Sequence, residues 1–484
     1  MSQKTKKFDE WNTRFIYTTV AILFLSINVV FSQADAHFWT YQYGSKGLLL
    51  NGAVIASPDG ETSPFYNPGS IGMDDDLGFA FSFLTPTYLD LGVTNFLGDG
   101  SEVSDEGLDL APGFLGFRVR PFKNKKFTAG IAKFRRYNSR IRLDDRDITA
   151  VSGFPDLLYR ADLDFDRRVS ERWIGLAMAY NILENVGIGL SHFSVWHNQH
   201  YFIETGGEIL EKDDPNSLNQ YWRTKSNYRF NLSPGFITKL GLSFKSREFC
   251  FGMTYTSPVY GIIYKRGSYT IEEQILDPVS NVNYSISNRN STPNVEYKTP
   301  HSVGLGVDIH GKKTTVSLAS EYFFKIEDYN IFNELDDSFD GLGAVENPTQ
   351  FVVRTSNDAV LNFAVGLQYK YSERSTWVFG FRTDFNQKNE LKLNDQPAYL
   401  GVAGDVFHIS GGNKLRFKNN EFSCGFDVGF GKQTGGQQWI DIGNISPLNF
   451  TDLSQKNNVT SQFYSVMLFI TYDFIFARFK KDKE

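Results

Sequence analysis

Apolar and polar residues alternate with period two through most of this chain, a pattern that predicts strands rather than helices. Segment by segment, the alternation predicts strands over 77–84, 113–121, 127–143, 159–181, 186–204, 221–245, 249–265, 298–310, 314–330, 357–371, 375–386, 407–417, 421–432 and 462–474, about fourteen in all. Leu77, Phe79, Phe81 and Phe83 share one face of the first, with Gly78, Ala80 and Ser82 on the other. Tyr464, Val466, Leu468, Ile470, Tyr472 and Phe474 share a face of the last, while its other face mixes Ser465, Thr471 and Asp473 with Met467 and Phe469.

The connections carry a second regularity. Short polar turns fall at Lys123-Asn124-Lys125, Leu183-Glu184-Asn185, Ser246-Arg247-Glu248, Gly311-Lys312-Lys313, Glu373-Arg374 and Lys418-Asn419-Asn420. They alternate with long segments rich in Asp, Asn, Gly and Ser at 85–112, 144–158, 205–220, 266–297, 331–356, 387–406 and 433–461. Short–long alternation around an even number of strands is the pattern of an antiparallel transmembrane β-barrel of the outer membrane, with periplasmic turns and extracellular loops. It predicts both termini in the periplasm of a Gram-negative cell. A soluble β-sandwich also buries an apolar face, but it has no reason to keep that asymmetry.

Composition agrees with this all-β reading. Phe and Tyr number 44 and 24, and aromatics make up 15% of the chain, yet mean hydropathy is −0.31. Aromatic bands, polar loops and a polar lumen together give that combination. A net charge of −6 argues against nucleic acid as the partner. The N-terminus reads as a secretion signal, residues 1–32, with Lys4, Lys6, Lys7 and Arg14 before an apolar run from Phe15 to Phe31. By alternation Cys250 faces away from its Phe neighbours and Cys424 lies on the Phe face, so two free thiols are expected.

Between the signal and the first strand lies a stretch that is neither helix nor strand. Gly44, Gly47, Gly52 and Gly60 punctuate it, and Pro58, Pro64 and Pro68 break it. Residues 33–76 are therefore expected to form a compact plug, followed by the barrel over 77–474 and a charged periplasmic tail over 475–484. The plug holds Gly44-Ser45-Lys46-Gly47, Gly52-Ala53-Val54-Ile55-Ala56 and Tyr66-Asn67-Pro68-Gly69. These resemble the Gly-Ser-x-Gly, Gly-Ala-Val-x-Ala and Tyr-Asn-Pro-Ala signature of the FadL/TodX family of outer-membrane transporters for hydrophobic compounds. Gly69 stands where the family usually has Ala. Thr256-Ser257-Pro258 and Thr299-Pro300-His301-Ser302 are further echoes.

The resemblance implies a mechanism without catalysis or cofactor. A hydrophobic ligand, a long-chain fatty acid or an aromatic hydrocarbon, is captured by the loops and passes into the lumen. It leaves sideways into outer-membrane lipid when the N-terminal hatch shifts beside a kinked third strand. Lateral release returns an apolar ligand to hydrocarbon without a passage through water. On this carry-over Asn67, Pro68 and Gly69 are the gate residues, with Asn67 bonding a free backbone group at the kinked strand, and Gly130 is the kink point. The plainer reading of Asn-Pro is a turn. A barrel of the same scaffold acting in protein secretion or assembly is the alternative, and the barrel-assembly machinery is an expected partner during biogenesis.

Other constellations carry less. Arg136, Asn138, Arg140 and Arg142 share a face of the third strand, and Asp162, Asp164 and Asp166 share a face of the fourth. A turn centred near 151 sets Arg136 opposite Asp166 and Arg140 opposite Asp162, a ladder that either lines a path for a ligand carboxylate or pairs structurally. His197 and His200 lie three apart on a strand and face opposite sides, which argues against a shared metal. Asp74-Asp75-Asp76 reads as a solvated turn. Among the seven His none sits in a nucleophile motif, and no enzyme is expected.

Overall fold

The computed structural model describes residues 37–73, 76–82, 85–111, 113–122, 126–214, 218–279, 282–332, 340–341, 354–387, 404–417, 419–448, 450 and 456–478. The signal segment, Asp74 and Asp75, the Lys123–Lys125 turn, most of the 331–356 and 387–406 connections and residues 479–484 lie outside them.

Fourteen antiparallel strands close into a barrel. In chain order they are β1 (Asp76–Ser82 and Thr85–Thr94), β2 (Glu102–Ala111 and Phe114–Val119), β3 (Phe127–Val151), β4 (Phe154–Leu183) and β5 (Val186–Glu211). There follow β6 (Leu218–Lys245), β7 (Phe249–Thr256 and Tyr264–Asp277), β8 (Val282–Asn290 and Ser302–His310) and β9 (Thr314–Phe323). The circuit ends with β10 (Val360–Lys370), β11 (Ser375–Asp384), β12 (Val406–Phe417), β13 (Asn420–Gly436) and β14 (Val459–Arg478). β14 pairs with both segments of β1, Phe79 opposite Phe474 and Leu91 opposite Phe463, which seals the sheet. A closed sheet leaves no unpaired edge, the condition for strands to cross a bilayer. Among the described residues no helix is long and apolar enough to cross a membrane.

The strands outrun their predicted ends on the long-loop side. Most of 85–112, 144–158, 205–220 and 266–297 is strand, not loop, and the β3–β4 turn comes at Ser152 and Gly153, where Gly153 takes φ +78°. β4 gives the reason. Its outward Ile174, Leu176, Met178 and Tyr180 are exposed and apolar, as lipid contact demands, but farther out the apolar side is the inward one: Tyr159, Ala161, Leu163 and Phe165 are buried. There the outward positions are Arg160, Asp162, Asp164 and Asp166. The apolar face switches sides where the wall passes from lipid to water; alternation still marks 159–166 as strand, and it is the Asp-rich strand ends beyond, within 144–158, that read as loop.

The inner end of the lumen is filled by residues 37–73. Two short helices, α1 (Gly44–Leu49) and α2 (Ser63–Tyr66), and a 3-10 turn at Pro68–Ser70 form this hatch. It is seated on a belt of small residues on the inner wall. Gly189 is opposite Gly241, Gly252 opposite Gly306, Gly306 opposite Ala319, Gly366 opposite Gly380 and Gly412 opposite Gly425. A Cβ on Gly241, Gly252, Gly306, Gly380 or Gly412 would run into hatch atoms. Neither cysteine is in a disulfide; Cys250 is buried and Cys424 exposed.

Candidate functional site

Asn67 is fully buried at the foot of the hatch. Its Oδ1 accepts from the Gly69 amide at 3.0 Å, capping the 3-10 turn, and its Nδ2 donates to the Ile55 carbonyl at 2.9 Å and the Leu242 carbonyl at 3.0 Å. One side chain thus ties the turn, the rest of the hatch and strand β6 together. The backbone group it meets on the wall belongs to β6, not to the third strand. Gly69 is dictated by close approach: a Cβ there would lie 2.7 Å from the carbonyl oxygen of Gly241. The departure from the family's Ala is thus a fit to a glycine on β6.

The third strand is irregular at Arg136 and, next to its turn, between Ala150 and Val151, whereas Gly130 pairs regularly with Arg118 and Ala177. Arg135 faces Arg172 and Tyr137 faces Glu171, so Arg136 is the extra residue of a β-bulge. The wall changes here too. The inner segment of β2 pairs with β3 only as far as Phe114 opposite Phe134. Among the described residues no backbone pairing joins Glu102–Ala111 to β3. The Asp105 carboxylate instead accepts from the Arg142 amide at 2.9 Å across the gap.

The hatch supplies the donors at the bulge. Tyr43 donates its hydroxyl to the Arg135 carbonyl at 2.7 Å, and Tyr41 donates to the Asn138 carbonyl at 3.1 Å. Arg136 turns inward and donates to the Phe38 carbonyl, with its guanidinium 5.8 Å from the centre of the Phe65 ring and 5.1 Å from that of Tyr137. Tyr43 also packs against Phe65, Phe114 and Phe134 at 4.7–5.9 Å between ring centres. Burial pushes the Tyr43 and Tyr66 hydroxyls well above the ordinary tyrosine range, so they serve as hydrogen-bond donors and not as titrating groups.

The arginine ladder forms in a different register and on the outer face. Arg142 is opposite Asp166 and Arg146 opposite Asp162, and Arg140 bridges to Asp166 at 3.2 Å. The register is set by the turn at Ser152 and Gly153 and the shift in pairing between Ala150 and Val151, and the facing by the bulge: one extra residue at 136 reverses everything beyond it. Arg136 therefore parts from Arg140 and Arg142, which stand outside the lumen.

The inward cation that periodicity did not single out is Lys239 on β6. It is 6% exposed, among the described residues no carboxylate lies within ion-pair distance of it, and its ammonium lies 5.0 Å from the centre of the Phe65 ring. Arg136 and Lys239 thus flank one hatch phenylalanine. Beside them Glu171 is buried and accepts from Trp173 Nε1 at 2.7 Å, Tyr297 at 2.9 Å and His197 Nδ1 at 3.0 Å. His197 faces inward and is buried, whereas His200 falls on the opposite side of the strand.

Polar clasps hold the other edges of the hatch. Arg382, almost fully buried, donates to the Thr40 carbonyl at 2.8 Å and pairs with Asp427 at 3.0 Å, while Asp384 accepts from the Trp39 amide at 2.9 Å. Toward the short-turn end Lys414 meets Asp59 at 3.3 Å, Lys46 meets Asp308 at 3.4 Å and Arg118 meets Glu61 at 3.5 Å. The Ser45 hydroxyl lies between Asp59 at 3.0 Å and Asp473 at 2.5 Å. Burial works to raise the Asp59 carboxyl, but the ammonium groups of Lys414 and Lys46 outweigh it and hold the group below its ordinary value.

A closed fourteen-stranded barrel with an apolar outer belt and a hatch in its lumen is an outer-membrane-type β-barrel. No protein-family model and no curated protein matches the sequence. Solved structures do match it. The chain is similar to the Pseudomonas putida toluene transporter TodX, with 14% identity over 91% of this chain and 100% of that one and a TM-score of 0.57. It is also similar to a Pseudomonas aeruginosa FadL homologue, with 12% identity over 91% and 100% and a TM-score of 0.55. The Ralstonia pickettii toluene transporter TbuX matches with 14% identity over 90% and 99% and a TM-score of 0.53. At these identities the likeness is one of fold, and the fold is that of the FadL/TodX family.

Proposed function

We propose that this protein is a passive outer-membrane transporter for hydrophobic compounds, released sideways when the hatch leaves the wall at β3. The observation that carries this reading is the meeting of three features at one place. The β2–β3 pairing ends at Phe114 and Phe134, β3 bulges at Arg136, and hatch tyrosines take up the Arg135 and Asn138 carbonyls. Backbone groups in a membrane wall need partners, and here the partners belong to the part that moves. Asn67, Pro68 and Gly69 act as the pivot on β6. The protein sits in a Gram-negative outer membrane with both termini in the periplasm and lipid as the receiving phase.

For the cargo we favour a long-chain fatty acid. Lys239 and Arg136 give the lumen two buried cations beside an aromatic cluster, a setting for a carboxylate on a hydrocarbon chain. The likeness in fold to two toluene transporters favours a second reading, an aromatic hydrocarbon with no charged end. Uptake of labelled oleate and of labelled toluene, in cells lacking their own transporters, separates them. Asn67→Ala should lower uptake of whichever cargo is carried. Lys239→Met should lower oleate uptake alone. Wild-type uptake of neither compound refutes transport of these cargo classes and favours a secretion or assembly role.

A further inference from the structure

The outer end of the lumen is closed by a second stopper that the hatch does not explain. The chain between β13 and β14 turns inward after Gly435, which takes φ +86°, and Gly436. Ile440, Ile442, Ile445 and Phe450 are then buried to 1, 8, 3 and 2% exposure. They join one cluster with Leu91, Leu143, Leu163, Phe165 and Ile203 of the inner wall. All of these side chains are apolar, and the wall residues belong to the outer extension, where apolar side chains turn inward.

Polar ties also hold the segment, one of them buried, where the Tyr159 hydroxyl donates to the Phe450 carbonyl at 3.2 Å. The Trp439 amide donates to the Phe96 carbonyl at 2.9 Å, Gln220 donates to the Pro447 carbonyl at 2.8 Å, and Lys456 meets Asp99 and Asp441, each at 2.8 Å. Asp99 and Lys456 are exposed, and exposed ion pairs hold little. The four side chains that the segment sinks into the lumen are held by burial of apolar surface, which is non-directional. A hydrocarbon offers the wall the same contact, and water does not.

We propose that the wall beneath this segment is a binding site for hydrocarbon, aliphatic or aromatic, which the chain fills with its own residues. Cargo reaches the lumen by exchanging with Ile440, Ile442, Ile445 and Phe450. The inference rests on the transport reading and adds the site of capture to it.

Thiol labelling tests it. In full-length protein carrying Cys250→Ser and Cys424→Ser, Ile445→Cys is treated with a membrane-impermeant maleimide, with and without saturating oleate or toluene. Binding of the same probe is followed in parallel by equilibrium dialysis. Ile440→Cys is a second reporter should the first variant fold poorly, and Leu448→Cys, at a position 82% exposed, sets the unhindered rate. Exchange predicts slow labelling without cargo and a rise of about tenfold or more with it, the size of change that a 1.4 kcal/mol shift in the closed population gives. Binding with labelling unchanged or slowed overturns the exchange and leaves transport standing. Absence of binding by either probe overturns both.

Discussion

Gly69→Ala should unseat the hatch while leaving the barrel intact. The added methyl carbon would lie 2.7 Å from the Gly241 oxygen, 2.8 Å from the Gly241 carbonyl carbon and 2.9 Å from the Leu242 nitrogen. All three are backbone atoms of β6, a strand paired on both sides by β5 and β7, so the wall cannot yield cheaply and the hatch must. Overpacking of this kind costs about 1–3 kcal/mol. Because the closed hatch bears that cost and the displaced hatch does not, the displaced population should rise by roughly 5- to 150-fold. Limited proteolysis of the hatch and ion conductance in planar bilayers both read this change. Gly92→Ala is the control, since nothing lies within 4 Å of a Cβ at that strand position. If Gly69→Ala matches wild type in both assays, the close approach to β6 does not seat the hatch, and the account of Gly69 in place of the family's Ala is wrong.

Three further outcomes follow from the same contacts. Tyr43→Phe removes the donor to the Arg135 carbonyl and should weaken hatch seating by about 0.5–1.5 kcal/mol, read as faster proteolysis with unchanged barrel melting. The Asp59 carboxyl is held below its ordinary value by Lys414 and Lys46 despite burial. Its stabilising contribution is therefore full above the unfolded value, about 3.9, and is lost as pH falls through the depressed folded value. Acid titration of hatch proteolysis should show this loss in wild type and a flatter acid limb in Asp59→Asn. Cys424 is exposed on the outer face and Cys250 is buried, so a lipid-soluble thiol reagent on reconstituted protein should modify Cys424 alone; equal reaction at both would refute the strand facing.

The fourteen strands were legible in the sequence because lipid imposes an apolar outer face, and Ile174, Leu176 and Met178 carry it plainly. The outer ends of the strands were not, because the apolar face moves inward there and polar residues such as Asp144, Asp145 and Asp147 read as loop. The hatch was legible from its glycines and prolines, and Asn67 from its setting before Pro68. Its partner on the wall was not, since Leu242 contributes only a carbonyl. Residue type points to Gly130 as the kink, whereas the bulge at Arg136 arises where β2 stops pairing, a long-range event with no local mark. Lys239 passed unnoticed as one charge on a strand. Tyr41 and Tyr43 lay in view, but a tyrosine's use as a cap depends on where a distant strand loses its neighbour.

The two stoppers differ in what would release them. The hatch is held by an apolar cluster with the wall that includes Leu49, Leu50 and Val54 and, beyond that, by directional contacts: the Asn67 amide, the tyrosine hydroxyls, and ion pairs to β2, β8 and β12. The outer segment is held by an apolar cluster. A hydrocarbon can compete for apolar burial in both, but it has no group to replace the hydrogen bonds of the hatch. A charged head can compete for the first, at Arg136 and beside Lys239. An amphipathic cargo would therefore open the two stoppers in sequence, its chain displacing the outer segment and its head loosening the hatch. A plain hydrocarbon would displace the outer segment but would have to open the hatch without replacing its hydrogen bonds and ion pairs. If toluene proves to be carried as well as oleate, the hatch must yield without a charged head, and Phe65, where both cations meet the aromatic cluster, is the side chain through which an apolar ligand would have to act.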